Sequence, residues 1–155
     1  MSAILERPAG TRPASAAERL AGTELGDARY QAFTLMRLGY AVLPVAMGID
    51  KFFNAMVSWP DYLAGWIDDI VPGTAQQLMY AVGVVEILAG VIVLLKPRYG
   101  AYLVAAWLGG IVINLFSGGG WWDVGVRDFG LMLGALALAR LASHYDRPRV
   151  ARRTA

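Results

Sequence analysis

Cysteine is absent from this 155-residue chain. Disulfides, thiolate metal sites, iron–sulfur clusters and thiol relays are therefore excluded from its chemistry. Histidine is nearly absent: His144 is the only one, so no haem is held between two histidines of this chain. His144 follows the last apolar run beside arginines and is expected at an interface or in water. Charge is scarce as well. Asp, Glu, Lys and Arg make up 17% of the residues, against about 25% in soluble domains. No long apolar run occurs in residues 1–30, which mix acidic and basic side chains, so a cleaved signal peptide is not expected there.

Apolar side chains take the place of charge. They reach 57%, where soluble domains hold about 45–50%. The net charge of +2 does not indicate nucleic acid. The basic residues flank apolar runs instead of forming a patch with interleaved aromatics, which is how membrane proteins orient themselves.

A spanning helix needs about 20 mostly apolar residues. Four stretches qualify, at 31–56, 75–95, 99–117 and 122–141, punctuated by Pro60, Pro72, Pro97 and Gly118–Gly120. The expected fold is all-α: an integral membrane four-helix bundle over 31–142. A mobile tail precedes it over 1–30, with a short surface helix in 14–25, and a frayed basic tail follows over 143–155. Arg7, Arg12, Arg19 and Arg29 precede the first stretch, Lys96 and Arg98 lie between the second and third, and Arg147, Arg149, Arg152 and Arg153 follow the fourth. The 57–74 connection has Asp61, Asp68 and Asp69 with no Lys or Arg. The positive-inside rule therefore predicts both termini in the cytoplasm, with Trp59, Trp66, Trp121 and Trp122 as an outer aromatic belt. Gly118–Gly120 reads as a tight turn, since no strand precedes it and no Lys-Ser/Thr follows.

Ionised side chains cost about 2.5–3.5 kcal/mol at the centre of a spanning helix and mark function by default. Candidates for a polar intramembrane ligand site are Lys51, Glu86, Asn114, Asp123, Arg127 and Asp128. All but the central Glu86 fall in the outward half under this topology. Gly83, Glu86 and Gly90 share a helix face, and the glycines allow close helix approach, so Glu86 is expected to point into protein and pair with Lys51 or Arg127. Asp123, Arg127, Gly130 and Gly134 share a face on the last stretch in the same way. Arg37 is expected to be structural, close to the cytoplasmic interface, and Asp50 to reach outer water. Tyr40, Tyr80, Tyr102 and Trp107 serve packing or flank a quinone ring. No nucleophile–base constellation and no metal-ligand cluster is visible, so any catalysis is expected to depend on a partner.

Arg37, Gly48-x-x-Lys51-Phe52, Glu86-x-x-x-Gly90, Lys96-Pro97-Arg98, Asn114 and Arg127-Asp128 together resemble the DoxX/DoxD family of small four-span membrane proteins, over 34–141. The resemblance implies a subunit of the bacterial plasma (inner) membrane, associated with a terminal quinol oxidase or a thiosulfate:quinone oxidoreductase. Other members serve in oxidative-stress and maturation complexes. Carried over, the functional positions are Lys51, Glu86, Asn114 and Arg127. The lack of cysteine departs from relatives that use thiols. The expected activity is quinone or lipid binding in the service of an oxidoreductase partner, with no covalent cofactor. Two other readings stay open: a small proton-coupled transporter acting as a homo-oligomer, and a purely structural or assembly factor.

The topology is testable with single cysteines. Ser58→Cys is expected to react with a membrane-impermeant maleimide in intact cells, and Ser143→Cys to stay unlabelled. The reverse pattern would overturn the orientation.

Overall fold

The computed structural model describes residues 27–145, and every described element is a helix or a turn. The two tails expected on either side lie outside the described residues. The chain divides into two units at Ala32/Phe33, and the architecture below is that of the second. Helix α1, Ala28–Asp50, begins in the first unit, where the Asp27 carboxylate accepts the Arg29 N–H at 2.9 Å and so caps the helix start. A 3₁₀ turn at Trp59–Tyr62 and a short helix α2, Gly65–Ile70, follow. Three long helices complete the chain: α3 at Ala75–Leu95, α4 at Pro97–Gly118 and α5 at Trp122–Tyr145.

Local sequence explains the boundaries. Thr74 caps α3 through a capping box: its hydroxyl accepts the Gln77 N–H, and the Gln77 side chain accepts the Thr74 N–H in return. Lys96 both ends α3 and starts α4. Pro97 sits at the first helical position of α4, where its missing N–H costs nothing. Gly100 then lets the backbone of Val93 pass where a Cβ would stand, which makes the α3–α4 hairpin tight. At the other end of α4, Gly119 and Gly120 take φ of +73° and +101°, the left-handed region open to glycine, and turn the chain into α5.

Two expectations are corrected. The described residues hold five α-helices where four were expected, because the acidic, aromatic 57–74 connection folds as a 3₁₀ turn and α2, both too short to show helical periodicity. The first helix also stops at Asp50, six residues before the apolar run does. Three helices, α1, α3 and α4, are long and apolar enough to cross a membrane. Helix α5, at 24 residues, has the length, but Asp123, Arg127, Asp128 and Arg140 dilute its apolar character.

The packing is of the membrane kind. Buried apolar positions are mostly small, with Ala41, Ala89, Ala101, Ala105, Ala135 and Ala139 at most 5% exposed, whereas large apolar residues such as Leu35 and Leu95 point outward at 74% and 68%. An outward apolar belt suits a lipid bilayer. Small interior residues let helices pack by close van der Waals contact, the main attraction left when the surroundings are as apolar as the side chains. A glycine-lined crossing joins α1 and α3. A Cβ on Gly48 would stand 2.6 Å from the Gly83 carbonyl oxygen, and one on Gly83 would stand 2.6 Å from that of Gly48.

Gly83→Ala is therefore expected to lower the melting temperature in detergent, with an overpacking cost of about 1–3 kcal/mol. Gly130, expected to pack as part of a small-residue motif, has nothing within 4 Å of its Cβ position. Gly130→Ala is expected to leave stability unchanged or raise it, given the higher helix propensity of alanine. Equal losses in both variants would contradict the crossing.

Candidate functional site

The α1–α3 crossing brings Lys51 and Glu86 together. Lys51 follows the end of α1 with its N–H still bonded to Met47 in the helical pattern. Glu86 lies about three turns into α3 from its start, roughly 16 Å at 1.5 Å per residue. In an α-helix each Cα–Cβ bond tilts toward the N-terminus. In the antiparallel pair Lys51 therefore leans down into the bundle and Glu86 leans up toward the loops. Gly83, one turn before Glu86, carries no side chain to obstruct the lysine stem. The ammonium meets Glu86 Oε2 at 2.7 Å, with only 5% and 9% of the two side chains exposed.

The loop closes over this pair. Lys51 Nζ lies 3.6 Å from the centroid of the Trp59 ring, a cation–π contact worth about 2 kcal/mol when desolvated. Trp59 is held there by Asp50, whose carboxylate accepts the indole N–H at 2.7 Å and the backbone N–H groups of Ala55 and Met56 at 3.2 Å. Asp50 is thus buried and bonded, a correction to the expectation that it reaches water. The three N–H donors give this carboxylate, placed at the end of α1, charge-assisted hydrogen bonds in place of water. Gln76 adds a strap: its amide donates to the Lys51 carbonyl at 3.0 Å and accepts from Asn54 at 2.7 Å.

Deeper in the bundle, Trp107 stands about three turns from the end of α4, level with Glu86 on α3. Its indole nitrogen is buried and makes no close hydrogen bond by strict geometry, and Trp107 and, from α5, Asp128 both act on the Glu86 carboxylate, Trp107 as a hydrogen-bond donor and Asp128 through its charge. The cluster therefore joins α1, α3, α4 and α5 through Lys51, Glu86, Trp107 and Asp128.

The other candidates fall elsewhere. Arg127 does not meet Glu86; its side chain is 67% exposed and its Nε contacts the neighbouring Asp128 at 3.1 Å. Asp123 is exposed, with no hydrogen bond or ion pair among the described residues. Asn114 latches the loop: its amide donates to the Tyr62 carbonyl at 2.7 Å and accepts the Ala64 N–H at 2.9 Å. Arg37 donates to the Leu94 carbonyl, one of the unpaired acceptors at the end of α3, which is a structural role. Tyr40 donates to the Leu131 carbonyl at 2.6 Å, Tyr80 stacks on Phe52 at 5.3 Å, and His144 is exposed against the edge of Tyr145. Among the described residues, no three His, Cys, Asp or Glu side chains are grouped to hold a metal ion.

A family model described as DoxX matches residues 32–116, more than half of the chain. The chain belongs to the DoxX family. The match is shorter than the 34–141 over which the resemblance was drawn. It contains Lys51, Glu86, Trp107 and Asn114 and ends before Asp123, Arg127 and Asp128. The DoxX segment thus carries both halves of the buried ion pair, and α5 adds Asp128 to it. Comparisons with curated proteins and with solved structures find no match. Sequence reasoning passed over Trp59, read as an interface anchor. The signal for it was Asp50, a carboxylate at the end of an apolar run that needs donors from the segment just after it.

In this DoxX protein Glu86→Gln is expected to strand the buried ammonium at a cost on the order of 3–5 kcal/mol, read as a lower melting temperature in detergent. Adding Lys51→Met is expected to recover part of that loss. Additive losses in the double variant would show that the two side chains do not act as a pair.

Proposed function

We propose that this chain is a four-span subunit of the bacterial inner membrane, with both termini cytoplasmic, that binds a quinone beside Lys51 and Glu86 and serves an oxidoreductase partner. Helix α5 is the fourth span. Its 24 residues extend about 36 Å, enough for a hydrocarbon core of about 30 Å, and its acidic residues lie in its first two turns. The positive-inside pattern supports the orientation.

One observation carries the reading: an ion pair at least nine-tenths buried among apolar helices and roofed by Trp59. A quinone needs an apolar path, aromatic neighbours and groups that handle protons and hydrogen bonds at its oxygens. Lys51 and Glu86 provide the ionisable groups, the indoles provide flat apolar surface, and the outward apolar side chains provide lipid contact. The family supports the setting, a membrane subunit that works with redox enzymes. The pair also satisfies itself at 2.7 Å, which favours a second reading, a helix lock with no ligand.

Purification in mild detergent, solvent extraction and mass spectrometry separate the two. Wild type is expected to carry quinone in a fixed ratio to protein, and Glu86→Gln and Lys51→Met to lose most of it. Wild type that retains phospholipid but no quinone, with Glu86→Gln still destabilised, would select the helix lock.

A further inference from the structure

We propose that Arg37, Lys96 and Arg98 seat the phosphate of an anionic phospholipid whose acyl chains lie along the α1–α3 seam; this needs the bilayer setting but not the quinone. The three cations meet where α3 ends. Arg37 donates to the Leu94 carbonyl, and its side chain leans toward the start of α1, the end of the bundle at which α3 turns into α4. Lys96 follows Leu94 by two residues, so their backbones are at most about 7 Å apart. Lys96 and Arg98 flank Pro97 in the hairpin; both are exposed, and neither enters an ion pair among the described residues. Carboxylates keep away from this end of the helices. On α3 and α4 the only one is Glu86, eight residues before Leu94 and so about 12 Å away along the axis. Asp50 on α1 and Asp123 and Asp128 on α5 belong to the opposite end.

Depth and neighbours decide which anion suits the place. The 21 residues of α3 extend about 31 Å, close to a hydrocarbon thickness of about 30 Å. Lys96 and Arg98 therefore stand at the level of the lipid headgroups, with Arg37 just inside it. Apolar side chains line the approach from the bilayer: Leu35 and Leu38 on α1 and Leu94 and Leu95 on α3 are all exposed. An acyl chain covers such side chains, whereas a free phosphate ion gains nothing from them. A guanidinium held through one nitrogen keeps donors for phosphate oxygens, and a lysine adds a compact charge. A zwitterionic headgroup fits less well, because its ammonium meets three cations and no carboxylate. Phosphatidylglycerol brings the phosphate without the ammonium. Basic sites between helices hold anionic headgroups in this way.

The test offers the detergent-purified full chain equal amounts of phosphatidylglycerol and phosphatidylcholine with the same acyl chains, and counts the lipids retained by native mass spectrometry. Wild type is expected to retain phosphatidylglycerol about tenfold over phosphatidylcholine. Lys96→Gln/Arg98→Gln is expected to bring the preference down to about twofold or less, with an unchanged lipid-free melting temperature. Should that variant melt lower, Lys96→Gln alone is expected to lose about threefold. Arg147→Gln/Arg149→Gln makes the same change of net charge elsewhere in the chain and is expected to keep the wild-type preference. Excess glycerol 3-phosphate is expected to displace none of the lipid, and quinone retention to be the same in all these variants. Equal retention of the two lipids by wild type would overturn the seat. Equal losses in the two double variants would also overturn it, by showing attraction to net charge alone. Displacement by glycerol 3-phosphate would overturn the phospholipid as its occupant.

Discussion

Lys51 and Glu86 have left water, and charge buried in an apolar bundle requires a partner within hydrogen-bond distance. That requirement explains much of the surrounding structure. The two side chains meet because Gly48 and Gly83 bring α1 and α3 to backbone contact, and because helical side chains lean toward the N-terminus, inward from one helix and outward from the other. Removing water from one ion costs several kcal/mol, which a partner at 2.7 Å offsets only with good geometry and further polar contacts. Trp59 supplies one such contact, and Asp50 supplies the hold on Trp59. The loop after α1 therefore belongs to the same unit as the pair.

A second polar arrangement lies on the same side of the bundle and has a different task. Asn114 binds the backbone at Tyr62 and Ala64, Ser117 accepts the Trp66 indole N–H at 2.8 Å, and Trp121 donates to the Asp61 carbonyl at 3.0 Å. Tyr62 stacks on Trp121 with ring centroids 4.2 Å apart. These contacts satisfy backbone groups where the 3₁₀ turn leads into α2 and tie that segment to α4 and the start of α5. The loop is thus tied to the ion pair at its start and to α4 and the α5 entry at its middle.

The sequence made the helices and the inward face of α3 legible, because 3.6-residue periodicity and the Gly83-x-x-Glu86-x-x-x-Gly90 spacing are local properties. Partner choice was not local. Lys51 and Arg127 were equal candidates for Glu86 by residue type and depth, and only the Gly48–Gly83 crossing separates them. Asn114 was readable as polar and membrane-embedded, but its bonds go to loop carbonyl and amide groups whose positions no spacing encodes. Trp59 carried the signature of an interface aromatic, and its contact with Lys51 depends on a turn organised by Asp50. Helix α2 spans too few residues for periodicity to appear. Trp107 was noted only as a possible ring neighbour, since its action on Glu86 depends on how α3 and α4 pack.

Infrared difference spectroscopy of the purified protein in D₂O, wild type minus Glu86→Gln, tests the central claim most directly. It reads the charge of one carboxyl group at its own site. An ionised, lysine-paired Glu86 predicts that the wild type alone carries an extra antisymmetric carboxylate stretch, shifted by isotopic labelling of glutamate side-chain carboxyl carbons. An extra protonated C=O stretch in its place would show a neutral Glu86, and the buried ion pair could not be the element that holds the loop and the site together.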